Sequence, residues 1–450
     1  MYSISSLILK VFDNAMLILY GQRLSTDWLQ FGFKPKTGTA QCSWFVVEVA
    51  AHYKQQKTSV KSALLDCSKA FDKCVFSVLF GKCLARGIPA IIVRGLLTIY
   101  EKQRCWVRWS NGIKSQDFGI GNGTRQGSCF SPALFSLYMD ELLLELRNSG
   151  LGCYVGGLFA GAGSYCDDLV LLAPTRSSLQ KMMSICESYA NRHNLVFSTD
   201  PDPSKSKTKC LLFRLHNREE SPAKIILNGQ PLPWVDHAAH LGHEFHTSGL
   251  QELDCNMRRA AYIGESVELL NVFKFAHPLQ KLAAIQTYTC SFYGSNLYDL
   301  YGPAANQLYR AWQVSVRDAW GVPGQTRTYF VDHLLAGSLP HIRQLILRKY
   351  IKYVTGLVTS MNPVLSGLAY WGVKTRLSAT GRNVANIQNE FGVDPLKCDP
   401  WMIKTAKREL PDDGLQNIEL LETLINIRAV EFEPDIVSDM DSLIDTVCVS

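Results

Sequence analysis

The 14 cysteines of this 450-residue chain include no CxxC pair and no cysteine-histidine knuckle; they are scattered from Cys42 to Cys448. That spacing excludes a disulfide-stapled framework and a knuckle-type zinc module. With no secretory leader at the start, it points to a reducing intracellular compartment, nucleus or cytoplasm. No apolar run is long enough to span a membrane. The stretch "LILKVFDNAMLILYG" is interrupted by Lys10, Asp13 and Asn14 and reads as a packed helix. Internal repeats and low-complexity tracts are missing too, which removes solenoids and disordered linkers from consideration.

What is present is a composition with 47% hydrophobic residues, enough to bury substantial cores in two to four domains. The formal charge of +6 is unevenly spread. The last 50 residues hold 4 basic and 11 acidic side chains, while Lys54 to Arg108 carries 11 basic and only 3 acidic ones. A basic stretch of that kind suits a polyanionic partner, although a solvated basic face would look the same.

Hydrophobic spacing predicts helices over residues 7–20 and 42–54, a strand in "SVKSALLD", and helices over 72–85, 90–102, 132–148 and 177–193. Asp72 reads as a cap of the 72–85 helix and Ser131 as a cap of the 132–148 helix. "CWVRWSNGIKSQDFGIG" predicts a hairpin turned at Asn111-Gly112, and strands flank Tyr165 to Asp168. The order describes an α+β domain whose helices cover one side of a small sheet. From Leu253 onward the pattern is mainly helical, with basic and aromatic residues recurring at Arg258, Arg259, Tyr262, Tyr309, Arg310, Trp312, Arg317 and Trp320.

In "GSYCDDLVLLAPT", Asp167 and Asp168 sit side by side ahead of the apolar run Leu169 to Ala173. Adjacent carboxylates repel and resist desolvation, so the pair marks either an exposed turn or a site for a divalent cation. A third carboxylate favours the cation: Asp66 follows the apolar strand of "LLDCSKAFD", where a strand end opens into a crevice. If the two strands are neighbours, Asp66 and Asp167 converge.

"LLDCSKAFD", "NGTRQGSCFSPALFSLYMDEL", "SYCDDLVLLAPT", "SKSKTKCLLF" and "HLGHEF" stand in this order within about 180 residues. Together they resemble the motifs of the reverse transcriptase domain of non-long-terminal-repeat (LINE-like) retrotransposons, over roughly residues 30–250 and more loosely to about 330. The resemblance implies a right-hand polymerase-like palm with incomplete fingers, followed by a mainly helical thumb and C-terminal region. Residues 1–62 would be partial fingers and 63–220 the palm with inserted fingers elements. Residues 221–330 would form a primer-holding hairpin and thumb-like region, and 331–450 a helical C-terminal region ending in the acidic tail. It further implies RNA-directed DNA synthesis from dNTPs on an RNA template and a DNA primer, without a membrane. Asp66, Asp167 and Asp168 would hold two magnesium ions, with manganese as a substitute.

By the same resemblance, Phe71 would exclude a 2′-hydroxyl, although it also fits as a core residue at a helix start. Gln126 and Gly127 would support the nascent base pair, Arg125 would touch phosphate, and Lys205 or Lys207 would serve the triphosphate. His237, His240, His243 and His246 recur every three residues, but Gly242 and the local composition predict strands rather than a helical zinc face. The resemblance places them in the primer-holding hairpin.

Two departures accompany the resemblance. Cys166 stands where the family commonly has alanine, and a short stretch of 30 residues precedes "FGFKPKTG". Without an endonuclease-like or knuckle segment, the chain reads as a truncated or partial open reading frame. A group II intron-type maturase, and a nucleic-acid-binding remnant without turnover, share much of this pattern.

Overall fold

The computed structural model describes residues 7–109, 112–125, 127–216, 222–249, 251–335 and 339–392. They fall into two compact units that divide near residues 242–250, with residues 362–364 belonging to the first. Gln126, Asn111 and the acidic tail lie outside the described residues.

The first unit runs α1 (Leu7–Tyr20), α2 (Thr39–Gln55), β1 (Val60–Leu65), α3 (Ala70–Lys73), α4 (Phe76–Ala85), α5 (Ala90–Glu101), β2 (Arg104–Cys105), β3 (Phe118–Gly119), α6 (Ser131–Asn148), β4 (Tyr154–Val155), β5 (Leu158–Phe159), β6 (Ala162–Tyr165), β7 (Asp168–Ala173), α7 (Arg176–Arg192), β8 (Lys209–Phe213), β9 (Ile226–Leu227), β10 (Gln230–Pro231), β11 (Trp234–Val235) and β12 (His237–His240). Its main sheet has the order β11-β8-β1-β7-β6, antiparallel throughout except for the parallel β11–β8 pair.

Strand β1 lies between β7 and β8, with Lys61 opposite both Ala173 and Leu212. Its sequence VKSALL is apolar at four of six positions and DLVLLA in β7 at five of six, as suits strands covered on both faces. Ala63, Leu65, Leu169 and Leu171 join one core with Leu142 of α6 and Met182 of α7. On the opposite face, a Cβ at Gly163 would meet the Phe45 ring of α2 at 3.0 Å and the Phe31 ring at 3.4 Å. The expectation of helices on one side is therefore corrected: α2 covers the other face.

The predicted 72–85 helix is also broken. Lys69 takes φ 51°, the short turn α3 follows, and α4 begins only after Val75, whose side chain makes no capping bond. Asp72 thus belongs to α3 and does not cap α4. Ser131 is the first residue of α6 and donates to the Arg125 carbonyl (2.7 Å); the Ser128 hydroxyl instead accepts from the Phe130 and Ser131 amides. Helix α1 is only half packed: Asp13 and Met16 are buried, while Leu7, Ile8, Val11, Ile18 and Leu19 are exposed. Among the described residues no helix is long and apolar enough to cross a membrane.

The second unit contains β13 (His243–His246), α8 (Glu252–Val272), α9 (Pro278–Tyr288), α10 (Pro303–Trp320), α11 (Thr328–His333), α12 (Ile342–Val358), α13 (Pro363–Lys374) and α14 (Ala379–Phe391). The aromatics Tyr262, Tyr309 and Trp312 are core side chains, and the Tyr262 hydroxyl donates to Ser315 Oγ at 2.8 Å. The histidine segment is strand on both sides of Gly242, and the buried His243 ring stacks on Tyr293 at 4.5 Å. Burial lowers the His243 pKa to about 4, which keeps the ring neutral.

Candidate active site

Antiparallel pairing puts the carboxyl end of β1 beside the amino end of β7. One residue past their last pair, Leu65 with Leu169, Asp66 and Asp168 leave the ladder together. Asp167 lies in the two-residue turn between β6 and β7, where Tyr165 pairs with Asp168. All three sequence-predicted carboxylates are brought to one end of the sheet.

The Asp66 charge is felt at both of the others. Burial, and after it the neighbouring Asp167 and Asp66 charges, push the Asp168 carboxyl up to about 6. Burial and the Asp66 charge hold Asp167 above the ordinary carboxylate range, against a lowering from a backbone hydrogen bond. Burial also pushes the Cys67 and Cys166 thiols up to about 12, so both stay neutral and neither competes as a thiolate ligand. Among the described residues no three His, Cys, Asp or Glu side chains converge closely enough to hold a cation as they stand. The donor chemistry nonetheless fits a hard divalent ion, since the groups at the strand ends are carboxylate oxygens.

The Asp168 shift gives a stability prediction. Between its ordinary value of 3.8 and about 6, the folded chain binds a proton that the unfolded chain has lost. This contribution is full below the lower value and is lost as pH rises through about 6. Asp168→Asn removes the uncompensated charge, so in magnesium-free buffer it should stabilise the fold at pH 7.5 by about 1 kcal/mol, after discounting for partial solvent exposure. Near pH 4 it should change little. Thermal unfolding at both pH values measures this; equal gains at the two would remove ionisation of the buried carboxyl as the cause.

A buried polar network holds the Asp167 turn. Cys166 adopts φ 57°, in the left-handed region. Its amide donates to Gln30 Oε1 at 2.9 Å, and its carbonyl accepts from Ser164 Oγ at 2.8 Å. Gln30 Nε2 donates to Ser164 Oγ at 3.3 Å, and Gln30 Oε1 also accepts the Gly32 amide at 2.9 Å. Gln30 and Ser164 are fully buried. Asp66 is fixed comparably: its amide donates to Thr208 Oγ1 at 3.3 Å, and its carbonyl accepts the Ser198 amide at 2.8 Å. The sequence reading missed Gln30, Gly32, Ser164 and Thr208 as positioning residues. The available signal was Gln30, a polar side chain inside the apolar run "WLQFGF".

The two lysine candidates separate. Lys207 Nζ lies 3.9 Å from Asp66 Oδ2, whereas Lys205 Nζ lies 3.4 Å from Asp202. Phe71 is partly buried and stacks on Phe135 with ring centroids 4.3 Å apart. Its carbonyl accepts the Thr124 amide at 2.7 Å, while the Gly123 amide donates to the Cys74 carbonyl at 2.8 Å. "NGTRQG" is therefore laid against the segment after Asp66. A Cβ at Gly123 would meet the Asp72 Cα at 2.8 Å, so glycine permits the approach. Gly127 is exposed with φ 80°. Arg125 is a correction: it is not presented to a phosphate. It is buried, and its Nη2 donates to both oxygens of the buried Asp13, at 2.6 and 2.7 Å. The counter-charge lies on α1, far from it in sequence. The expectation for Gln126 falls outside the described residues.

Comparison with known proteins matches residues 1–245 to the family described as reverse transcriptase (RNA-dependent DNA polymerase). The chain belongs to this family, in the branch carried by non-long-terminal-repeat retrotransposons. It is 28% identical over 290 residues to the Pol polyprotein of the type-2 retrotransposable element R2DM of Drosophila melanogaster, covering 63% of this chain and 26% of that protein. It is 21% identical over 372 residues to the RNA-directed DNA polymerase from mobile element jockey of the same organism, covering 78% of this chain and 38% of that one. The chain thus spans about a quarter to two fifths of the length of these relatives. A solved telomerase from Candida tropicalis superposes with a TM-score of 0.38 at 11% identity, over 94% of this chain and 56% of that one, too low a likeness to assign topology.

Proposed function

We infer that the chain copies an RNA template into DNA by adding dNTPs to a primer 3′-hydroxyl, with the first unit as palm and partial fingers and the second as thumb-like region. The observation that carries this reading is the meeting of Asp66, Asp167 and Asp168 at one end of neighbouring strands. Magnesium held by these carboxylates would supply Lewis-acid activation of the hydroxyl and charge neutralisation at the phosphates. The β6–β7 turn, locked by Gln30 and Ser164, fixes where Asp167 presents its oxygens. Lys207, exposed beside Asp66, is placed to meet the triphosphate, and Gly127 lets the backbone come close to the nascent pair. The test is primer extension by the purified chain on an RNA template with dNTPs and magnesium or manganese. Absence of incorporation under both metals would count against it.

Phe71 would set the sugar. Its ring is braced by Phe135 and remains partly exposed, as a steric wall for a 2′-substituent requires. Phe71→Ala should raise ribonucleotide use relative to deoxynucleotide use by about tenfold or more, the scale of one or two kcal/mol of pocket discrimination. Competing single-nucleotide incorporation measures the ratio. An unchanged ratio assigns Phe71 to packing.

A further inference from the structure

The ribbon made by β2 and β3 belongs to no larger sheet. Its backbone is closed by its own bonds, Trp109 amide to Ile113 carbonyl and Ser115 amide to Val107 carbonyl, both 2.9 Å, with a further bridge between Arg108 and Lys114. Yet it leaves Trp106 52% exposed, Trp109 56%, Ile113 63% and Phe118 46%. Single exposed apolar side chains need no explanation, but two tryptophans three residues apart on one short ribbon do.

Cations are interleaved with these rings. Arg104, Arg108 and Lys114 are all exposed. Lys114 Nζ lies 3.8 Å from the Trp106 ring centroid and 3.4 Å from Asp117, the one acidic residue of the ribbon. Protein interfaces deplete charge from their apolar centres, so this alternation does not suit a protein partner. It suits a polyanion with exposed planar bases, because rings take the bases while cations take the phosphates.

We propose that the β2–β3 ribbon is a stacking platform for unpaired bases of the template RNA, with Trp106 and Trp109 as base contacts and Arg104, Arg108 and Lys114 as phosphate contacts. This rests on the RNA-copying reading, in which the template is the strand that arrives unpaired. A duplex has its bases already stacked and offers the ribbon only its backbone.

The test titrates the full chain with a labelled single-stranded RNA of mixed sequence, and with the same RNA fully paired. The double variant Trp106→Ala/Trp109→Ala should bind the single strand about tenfold or more weakly, and the duplex within about threefold of wild type. Its salt dependence should keep the wild-type slope, whereas Arg108→Gln should lower that slope by about one. The conservative pair Trp106→Phe/Trp109→Phe should retain most of the affinity. It should also lose part of the tryptophan quenching that RNA causes in wild type, a readout that survives if the alanine pair fails to fold.

Equal single-strand affinity for wild type and the alanine pair overturns the proposal, as does quenching unchanged in the phenylalanine pair. Unaltered RNA affinity with a changed sedimentation coefficient would give the ribbon to a protein contact instead and also overturns it. Primer extension on the same preparation keeps the two readings apart. Tryptophan-dependent binding without extension supports the platform and counts against the polymerase, while extension with tryptophan-independent binding does the reverse.

Discussion

Asp167→Ala should reduce primer extension by about 10³-fold or more while changing RNA affinity by less than about threefold, a split between chemistry and binding that a mere folding defect does not produce. Asp167 sits in a turn whose backbone is held from outside, by Gln30 to one side of Cys166 and Ser164 to the other. Removing its side chain deletes oxygens without releasing the turn. The substitution also removes a charge that raises the Asp168 pKa, so the metal-free variant should melt no lower than wild type. Asp66→Ala should behave alike, because its Thr208 and Ser198 contacts are made by backbone atoms. Extension and RNA binding on matched preparations decide the matter. Substantial extension by Asp167→Ala would remove the carboxylates from the reaction.

Gly32→Ala should cost about 10²-fold in extension although residue 32 carries no reacting group, because displacing a catalytic group by about an ångström has effects of this order. A Cβ there would lie 2.6 Å from Cys166 Sγ, 2.9 Å from the Cys166 amide nitrogen and 3.0 Å from Gln30 Oε1. The sulfur is buried and the nitrogen is backbone, so relief must come from moving the turn that carries Asp167. Overpacking of this kind destabilises by about 1–3 kcal/mol. Gln30→Ala reaches the same turn by another route, leaving the Cys166 and Gly32 amides without their acceptor. If chemistry is the step affected, kcat falls more than KM rises. Wild-type extension and melting by Gly32→Ala would mean that the turn yields at no cost.

The carboxylates and the central strands were legible because their signals are local. A six-residue strand bounded by aspartate meets a crevice at that end, and the signal stands after β1 at Asp66 and at the start of β7 at Asp168. What was not legible depends on partners distant in sequence. Arg125 sits in a loop motif that reads as a phosphate contact, and only the fold reveals Asp13 opposite it, 112 positions away. Helix α2 lies on the second face of the sheet because Gly163 leaves room for Phe45, a complementarity with no periodic trace in either segment. Lys205 and Lys207 have almost the same sequence context, and a 3.9 Å approach to Asp66 separates them. Short elements misled as well: a break at Cys74, where ψ turns to 122°, divides what helical spacing alone joins over 72–85.

The Asp13–Arg125 pair has a consequence for inheritance. Both groups are buried, so a change that removes either partner leaves the other as an uncompensated charge, at about 3–5 kcal/mol, a large part of a domain's stability. Positions 13 and 125 are therefore free to drift only together, and copies of this sequence that diverge should keep both charges, lose both, or exchange them. The first helix, whose exposed side is loosely constrained, is tied through that pair to the evolutionary fate of the loop ahead of α6.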